Sequence, residues 1–282
     1  MSTNPAALRA RLDARLKTDS ADRAIDVNRL RRQLAFERIL VRLGEDWVLK
    51  GGLALEFRLR NQCRATRDLD LALLGQAEDG ERVREHLIDA FAEDPQDDHF
   101  SFVVGPPQML AADSAGRPGW RFSVEARLAG RSFVHVRVDV VARAEEIADG
   151  VERLTLPSGL GFAGYPPAIS VLAIDVHQHA AEKVHALTRD YGDRPNTRTK
   201  DLVDLVLLIE HELLDPARLG RRLRTVFDVR GTHDLPRHPP TPPAAWAADY
   251  LALTADLDVT AHTVEAAHEL VSRCWADWVP AG

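Results

Sequence analysis

The chain has 282 residues, of which 45% are hydrophobic and 28% charged, the ordinary composition of a globular protein with one or two domains. Its two cysteines, Cys63 and Cys274, stand far apart, which excludes a cysteine zinc motif and a disulfide framework. No apolar run approaches the roughly 18 residues that a membrane span needs, and the arginine-rich N-terminus is no secretory signal. We therefore expect a cytoplasmic protein.

Basic residues are unevenly distributed along this acidic chain. The net charge of −7 argues against a broad basic surface for unspecific nucleic-acid binding. Residues 1–44, however, contain ten arginines or lysines against five acidic residues, and a second arginine cluster lies at 218–224. These clusters are compatible with solvated helix faces or with a local rim that binds RNA.

The first third of the chain has the pattern of helices around two short strands. Leucines at helical spacing predict two helices within residues 1–43, and Gly44 ends the second. Apolar or alternating runs then predict two strands, each followed by a helix with one apolar face. The strands are at 47–49 and 68–74, and the helices are at 53–59 and 77–92.

The middle of the chain is rich in β-forming residues, and its last part is helical. Turn signals at Gly116, Gly119 and Gly130 separate three predicted strands. From about residue 169 the pattern returns to helices, interrupted by a proline-rich linker at 236–243. We predict an α+β fold with a domain over 1–165 (helices in 1–44, an α/β core at about 45–165) and a helical domain over 166–282. The middle strands are predicted at 100–104, 120–128 and 132–141, and the later helices at 171–187, 200–214, 244–256 and 260–279.

Three aspartates are candidates for a metal site. Asp68 and Asp70 stand two residues apart in a predicted strand, so their side chains point to one face and the neighbouring leucines to the other. Asp139 is a lone polar residue near the end of a later apolar strand, and it joins them if the two strands are neighbours. Carboxylates combined with substrate phosphates are the ligands typical of Mg²⁺. We therefore predict a Mg²⁺ site, with Mn²⁺ as an alternative ion.

A glycine pair lies just upstream of these aspartates. Gly51 and Gly52 follow a predicted strand and precede a helix, where backbone N–H groups can approach phosphate. Neither GxGxxG nor GxxxxGK[ST] occurs in the sequence, so Rossmann and P-loop sites lack support. His177 and His179 stand two residues apart outside any HExxH motif, and we expect ordinary surface or capping histidines.

An ordered series of short motifs connects these residues to the later helices. A glycine turn at 50–55 (KGGLAL) precedes an R-x-[ST]-x-D-[IL]-D sequence at 64–71. E-K-hydrophobic-x-A-L follows at 181–187, and R-x-K-D-hydrophobic-x-D-L at 198–205. This series resembles the motifs of the AbiEii/AbiGii-type nucleotidyltransferase toxins, which belong to the polymerase-β-like nucleotidyltransferase superfamily. Residues 215–282 carry no motif of that family.

The resemblance implies a fold and roles for particular residues. The implied fold is a polymerase-β-like α/β core with a mixed sheet, N-terminal helices and a helical C-terminal domain. Asp201 would complete the site and Asp204 would pack the helix, although the reverse assignment stays open. The implied catalytic residues are Asp68, Asp70, Lys183 and Asp201, and Asp139 joins them through its position in the fold. The implied metal ligands are Asp68, Asp70 and Asp139. The implied nucleotide-binding residues are Lys50, Gly51, Gly52, Arg64, Thr66 and Lys183.

The resemblance also implies an activity and partners. It predicts the toxin of a type IV toxin–antitoxin system, with a cognate antitoxin encoded nearby. The enzyme would transfer a nucleoside monophosphate from an NTP to an RNA acceptor, such as the 3′ end of tRNA, and so block translation. Two alternatives stay open: transfer to a small molecule (an aminoglycoside, for example) or a protein hydroxyl, and a non-catalytic module that binds RNA or a protein partner. A phosphohydrolase of the haloacid-dehalogenase type fits less well, because Ala72 stands where Thr or Val is usual.

Overall fold

One mixed β-sheet forms the centre of the molecule. The computed structural model describes residues 4–59, 62–75, 79–110, 118–142, 147 and 150–279. The strands are β1 (Trp47–Lys50), β2 (Asp68–Leu73), β3 (Phe100–Val104), β4 (Gln108–Met109), β5 (Gly119–Leu128), β6 (Arg131–Ala142), β7 (Val151–Pro157) and β8 (Ala168–Ile174).

The strands are ordered β3-β5-β6-β2-β1-β8-β7, and the short β4 pairs with β5. The β2–β6 and β1–β8 pairs are parallel, whereas β1–β2, β5–β6 and β7–β8 are antiparallel. The sheet is therefore mixed, which confirms the predicted α+β class. Its two central strands, β2 and β6, are the two that carry the predicted metal ligands.

Helices precede, interrupt and follow the sheet, and several begin at an acidic N-cap. Carboxylates at helix starts accept the unpaired first N–H groups, and the caps of this kind are Asp26, Asp79, Asp175 and Asp215. Within the described residues, no helix combines the length and the apolar character needed to cross a membrane. The helices are α1 (Pro5–Arg23), α2 (Val27–Leu40), α3 (Gly51–Leu59), α4 (Gly80–Ala92), α5 (Val176–Thr188), α6 (Thr199–Glu210), α7 (Pro216–Arg230), α8 (Trp246–Thr254) and α9 (Val264–Trp278).

The largest departure from the predicted elements is the run at 168–174. The sequence assigned it to the helical C-terminal domain, but it is strand β8, which lies inside the sheet between β1 and β7. Its apolar residues are buried against both neighbours, and a short apolar run of this kind suits either a strand or a helix. Strand β7 and helix α7 were not predicted at all. The division of the chain into two domains stays a prediction.

A hydrophobic core lies against one face of the sheet, and a second core is formed by the end of α3 and the helices from α5 to α9. Inward residues of β5 and β6, such as Phe122 and Val138, pack with Phe36 of α2 and Leu87 of α4. On the opposite face of β5 and β6 the alternating residues are polar and at least partly exposed. The sheet therefore presents an open polar face beside β2, and this face carries the predicted ligands.

The basic N-terminal segment serves largely as internal structure. Arg42 is buried and pairs with Asp98, whose carboxylate oxygen lies 2.6 Å from Nη2. Arg38 is also buried and contacts the same carboxylate at 3.3 Å. Arg9 of α1 donates to backbone carbonyls at the β5–β6 turn, including those of Leu128 and Ser132. The reading of this segment as an RNA-binding rim is therefore wrong for these three arginines, which hold the helices to the sheet.

Candidate active site

The β2–β6 pairing brings the three predicted aspartates together. Asp70 is registered with Asp139 across the parallel pair, and Asp68 with Arg137. Registered residues on neighbouring strands project to the same face, so all three carboxylates stand on the open face of the sheet. The predicted alternation is confirmed, since Leu69 is buried on the opposite face.

Gly51 holds the backbone close against Asp70. It follows Lys50, which is registered with Asp70 across the β1–β2 pair, and it has a φ of +61°. A Cβ at this position would lie 1.9 Å from Oδ2 of Asp70, so no other residue fits without moving the carboxylate. At Gly52 a Cβ would approach Oγ1 of Thr66 to 3.0 Å. The predicted glycine turn thus lies directly beside the predicted ligands, at the start of α3.

The electrostatics of Asp70 reflect this crowding. Burial raises the pKa of its carboxyl, and the neighbouring charges of Asp139 and Asp68 raise it further, to about 6. Lys50 and Lys183 act in the opposite direction but do not cancel the effect. The carboxylate form is therefore under-compensated, and a bound cation would stabilise it.

Two arginines that the sequence analysis did not single out hold the other aspartates. Arg121 of β5 donates Nε and Nη2 to the two carboxylate oxygens of Asp139, at 2.8 and 2.7 Å. Arg137 of β6 donates Nε to Oδ1 of Asp68 at 2.6 Å. Two registered pairs explain these contacts, Arg121 with Asp139 and Arg137 with Asp68. Of the three carboxylates, Asp70 is the one whose negative charge is least compensated by nearby positive charge.

The donor set determines which metal the site could accept. In the parts of the chain that the structure describes, no group of three or more His, Cys, Asp or Glu side chains, the three predicted aspartates included, is placed so that it could hold a metal ion. Adjacent carboxylates with an under-compensated member instead fit a hard cation that takes one or two protein oxygens and completes its shell with phosphate and water. A divalent ion of the Mg²⁺ type has this preference, whereas Zn²⁺ sites are closed by nitrogen or sulfur ligands.

Lys183 and Asp204 belong to a buried ion network. Nζ of Lys183 lies 2.6 Å from Asp204 and 3.2 Å from Asp201. Arg64 donates to both oxygens of Asp204, at 2.8 and 2.7 Å. Burial alone would raise the pKa of Asp204, but Lys183 and Arg64 lower it to about 2. The network ties the loop before β2 to α5 and α6, and it leaves Asp201 as the carboxylate facing the cavity.

A cleft with a volume of about 310 Å³ opens above the aspartates. Nζ of Lys50 pairs there with Glu182 of α5 at 2.9 Å. His179 also lines the cleft, but it is buried, and burial together with Lys183 lowers its pKa well below the ordinary value. The expectation of surface or capping histidines is therefore wrong for His179. His177 is buried too, but it accepts a hydrogen bond from the backbone N–H of Asp215, the N-cap of α7, which is a capping contact.

All ten residues predicted for the site lie at two adjoining cavities that share Asp70. The predicted residues that line the cleft are Lys50, Gly51, Asp70, Asp139, Lys183 and Asp201. Those that line the second cavity are Gly52, Arg64, Thr66, Asp68 and again Asp70. Position thus agrees with the predicted set, while the role of each residue stays a prediction.

Comparisons with known proteins bear on the fold and the family of the chain. The chain is similar in structure to MenT4, a nucleotidyltransferase toxin from Mycobacterium tuberculosis H37Rv, with a TM-score of 0.60 and 19% identity over 95% of this chain and 90% of that one. JHP933 from Helicobacter pylori gives a TM-score of 0.47 and 15% identity, over 89% and 91% of the two chains. No curated protein sequence matches the chain. The sequence model of the family described as nucleotidyl transferase AbiEii toxin, type IV TA system, matches residues 34–272. The chain therefore belongs to the AbiEii family of nucleotidyltransferase toxins.

Proposed function

We propose that this nucleotidyltransferase uses Mg²⁺ and transfers a nucleoside monophosphate from an NTP to an RNA acceptor. The observation that carries the proposal is the β2–β6 register, which places Asp139 beside Asp70, the residue against which Gly51 packs. Family membership supports the reaction class, an NTP substrate, a divalent metal and a cognate antitoxin. What we propose beyond family membership is the identity of the metal, the residues that carry the reaction and the RNA acceptor.

Asp68 and Asp70 are the proposed metal ligands. When bound there, Mg²⁺ would shield the phosphate charge and favour loss of pyrophosphate. Asp70 needs such a cation most, because burial and the charges of Asp139 and Asp68 raise its pKa and disfavour its carboxylate form. Arg137 donates to Oδ1 of Asp68, so its positive charge competes with a metal at this carboxylate.

Asp139 is proposed to act on the acceptor hydroxyl or to hold a second ion. Arg121 fixes its orientation with two hydrogen bonds, and each carboxylate oxygen keeps a further lone pair for the cleft. In the transfer, the acceptor oxygen bonds to the α-phosphorus, the bond to the leaving pyrophosphate breaks, and the hydroxyl proton passes to Asp139 or to water. Preorganised carboxylates of this kind contribute through position and electrostatics.

Lys183 and Asp201 are proposed to shape the cleft. Lys183 stays charged, because Asp204 and Asp201 raise its pKa despite its burial. Its charge acts on Asp70, whose pKa it lowers, and its bonds to α6 fix the position of α5. Asp201 lies at the cleft wall, within 3.8 Å of Arg198. Of the two aspartates of α6, Asp201 is therefore the one that we propose for a direct role in the reaction.

The 3′ end of tRNA is the proposed acceptor, and it follows from family resemblance rather than from a contact in this chain. The test incubates the protein with each labelled NTP, Mg²⁺ and total tRNA, beside an Asp70→Ala variant. Transfer by the wild type that the variant loses would support the proposal. Equal transfer by both proteins would refute the assignment of Asp70. Label on an aminoglycoside or a protein, with none on RNA, would favour the alternative acceptors.

A further inference from the structure

The second cavity beside the aspartates differs from the cleft in charge. It has a volume of about 500 Å³ and opens on the side of Asp68, with Gly52 and Thr66 in its wall. It meets the cleft at Asp70, which lines both cavities. We call it the basic pocket, because it is lined by four cationic side chains: Arg64, Arg67, Arg137 and Lys200.

The cationic side chains of the cleft are already matched by carboxylates. Lys50 pairs with Glu182 at 2.9 Å. Lys183 contacts both Asp204 and Asp201. Arg198 and Arg230 also line the cleft, and they lie 3.8 Å from Asp201 and from Glu182, respectively. Because these carboxylates offset the four cations, the cleft offers little uncommitted positive charge to a polyphosphate.

The basic pocket, in contrast, has uncommitted cations. Arg67 and Lys200 are exposed, and neither forms an ion pair with any residue that the structure describes. Arg137 uses Nε for Asp68, and its side chain is 50% exposed. Arg64 is committed to Asp204, to which it donates Nε and Nη2. Like charges gathered at one cavity repel each other, so the arrangement is favourable when an anion occupies it.

We infer that the basic pocket binds the phosphate chain of the nucleotide through Arg67, Arg137 and Lys200. The inference rests on the proposed function and deepens it by reassigning the phosphate contacts. A triphosphate is compact and strongly anionic, so it suits a pocket of this volume, whereas a nucleic-acid backbone needs a continuous groove. The N-terminal turn of α3 at Gly52 adds backbone N–H groups that favour phosphate.

The position of the pocket agrees with the chemistry at its edge. Phosphates held on the Asp68 side place the α-phosphorus near Asp70, where the two cavities meet. The acceptor then approaches through the cleft, where Asp139 lies. Lys183 becomes a positioning residue in this arrangement, because its partners are protein carboxylates. The predicted contact between Lys183 and the triphosphate is replaced by contacts from Arg67 and Lys200.

The test measures calorimetric binding of inorganic tripolyphosphate, with Mg²⁺ present, to four full-length proteins. They are the wild type, Arg67→Gln, Lys200→Gln and the control Lys17→Gln, which alters an exposed lysine of α1. Each pocket variant should weaken binding about tenfold, the loss expected for one charge-assisted hydrogen bond. Lys17→Gln should bind like the wild type, and Lys200→Arg should restore most of the affinity. Thermal melts of all variants establish that they are folded.

Two outcomes would overturn the inference. In the first, both pocket variants bind tripolyphosphate as tightly as the wild type. In the second, tripolyphosphate binding is unchanged but a single-stranded RNA oligonucleotide binds more weakly, which would assign the pocket to the acceptor. The proposed function is tested separately by label transfer. If the wild type transfers label and the Lys200→Gln variant has the same KM for NTP as the wild type, this inference alone is refuted.

Discussion

Gly51 is glycine for two independent reasons. Its φ of +61° is unfavourable for other residues, and a Cβ would overlap Oδ2 of Asp70 at 1.9 Å. In the Gly51→Ala variant the carboxylate must therefore move. We expect label transfer to fall about 100-fold or more, as displacements near 1 Å in reacting groups do. Initial rates with labelled NTP provide the measurement.

Gly130 supplies the matched control for this substitution. It also has a positive φ, +71°, but nothing lies within 4 Å of a Cβ built there. Gly130→Ala should therefore carry only the backbone strain, about 1–2 kcal/mol of unfolding free energy, with normal transfer rates. A Gly51→Ala protein as active as Gly130→Ala would contradict the close approach at Asp70.

The raised pKa of Asp70 predicts that its ionised carboxylate, which the proposed metal site needs, lowers the stability of the fold. Its folded pKa of about 6 exceeds the ordinary value of 3.8, so the stability it contributes is present at low pH and is lost as the pH rises through 6. In EDTA at pH 7.5, Asp70→Asn should therefore be more stable than the wild type, by up to about 3 kcal/mol. At pH 4 the two should be alike. Urea denaturation at both pH values tests this, and a destabilised Asn variant at pH 7.5 would refute the interpretation.

Helix α6 separates a structural aspartate from one that faces the cleft. Asp204 is fully buried between Arg64 and Lys183, so Asp204→Asn would leave Arg64 without its carboxylate and Lys183 with only the longer contact to Asp201. We expect a loss of about 3–5 kcal/mol in unfolding free energy. Because the pKa of Asp204 is about 2, this loss should persist at pH 5 and shrink as the pH falls towards 2.

Asp201→Asn is the comparison that distinguishes the two aspartates. Lys183 keeps its shorter contact to Asp204 in that variant, so the unfolding free energy should change by less than about 1 kcal/mol. Label transfer should nevertheless fall, because the cleft loses a carboxylate. Denaturant titrations and transfer rates of both variants, measured side by side, test the assignment. A strongly destabilised Asp201→Asn protein would reverse it.

The β5–β6 hairpin shows what the sequence could and could not predict. Strand alternation alone places Asp68 with Asp70, and Arg137 with Asp139, on one face. The contact from Arg121 depends on a register shift between residues 126 and 127, after which Arg121 opposes Asp139 rather than Val138. A one-residue slip exchanges the two faces of a strand, and no turn residue in the sequence signals this bulge.

The site as a whole is assembled from distant parts of the chain. The sheet supplies Asp68, Asp70 and Asp139, while α5 and α6 supply Lys183, Asp201 and Lys200. The motif series predicted most of these residues, because each motif carries its chemistry locally. Their division between two cavities could not be predicted, because it depends on where α6, through its packing on α5, α8 and α9, comes to lie beside the sheet. The phosphate-binding role that we infer for Arg67 and Lys200 follows from that packing alone.

Arg137 connects the proposed metal site with the proposed phosphate site, because it contacts Asp68 and lines the basic pocket. Its guanidinium competes with a metal for the carboxylate, but it would assist a bound phosphate. Arg137→Gln should therefore raise the affinity for Mn²⁺ in the absence of nucleotide and lower the affinity for tripolyphosphate in EDTA, each by about tenfold. Free Mn²⁺ measured by electron paramagnetic resonance and calorimetry with tripolyphosphate give the two constants.

The opposite signs of these two changes distinguish them from a loss of folding, which would weaken both. Arg127→Gln is the control, because Arg127 belongs to the same pair of strands but bonds to Glu125, outside both cavities. It should leave both affinities unchanged. If Arg137→Gln weakens Mn²⁺ binding instead, the arginine supports the ligand geometry of Asp68 rather than competing for it, and the metal would then have to bind with the ion pair intact.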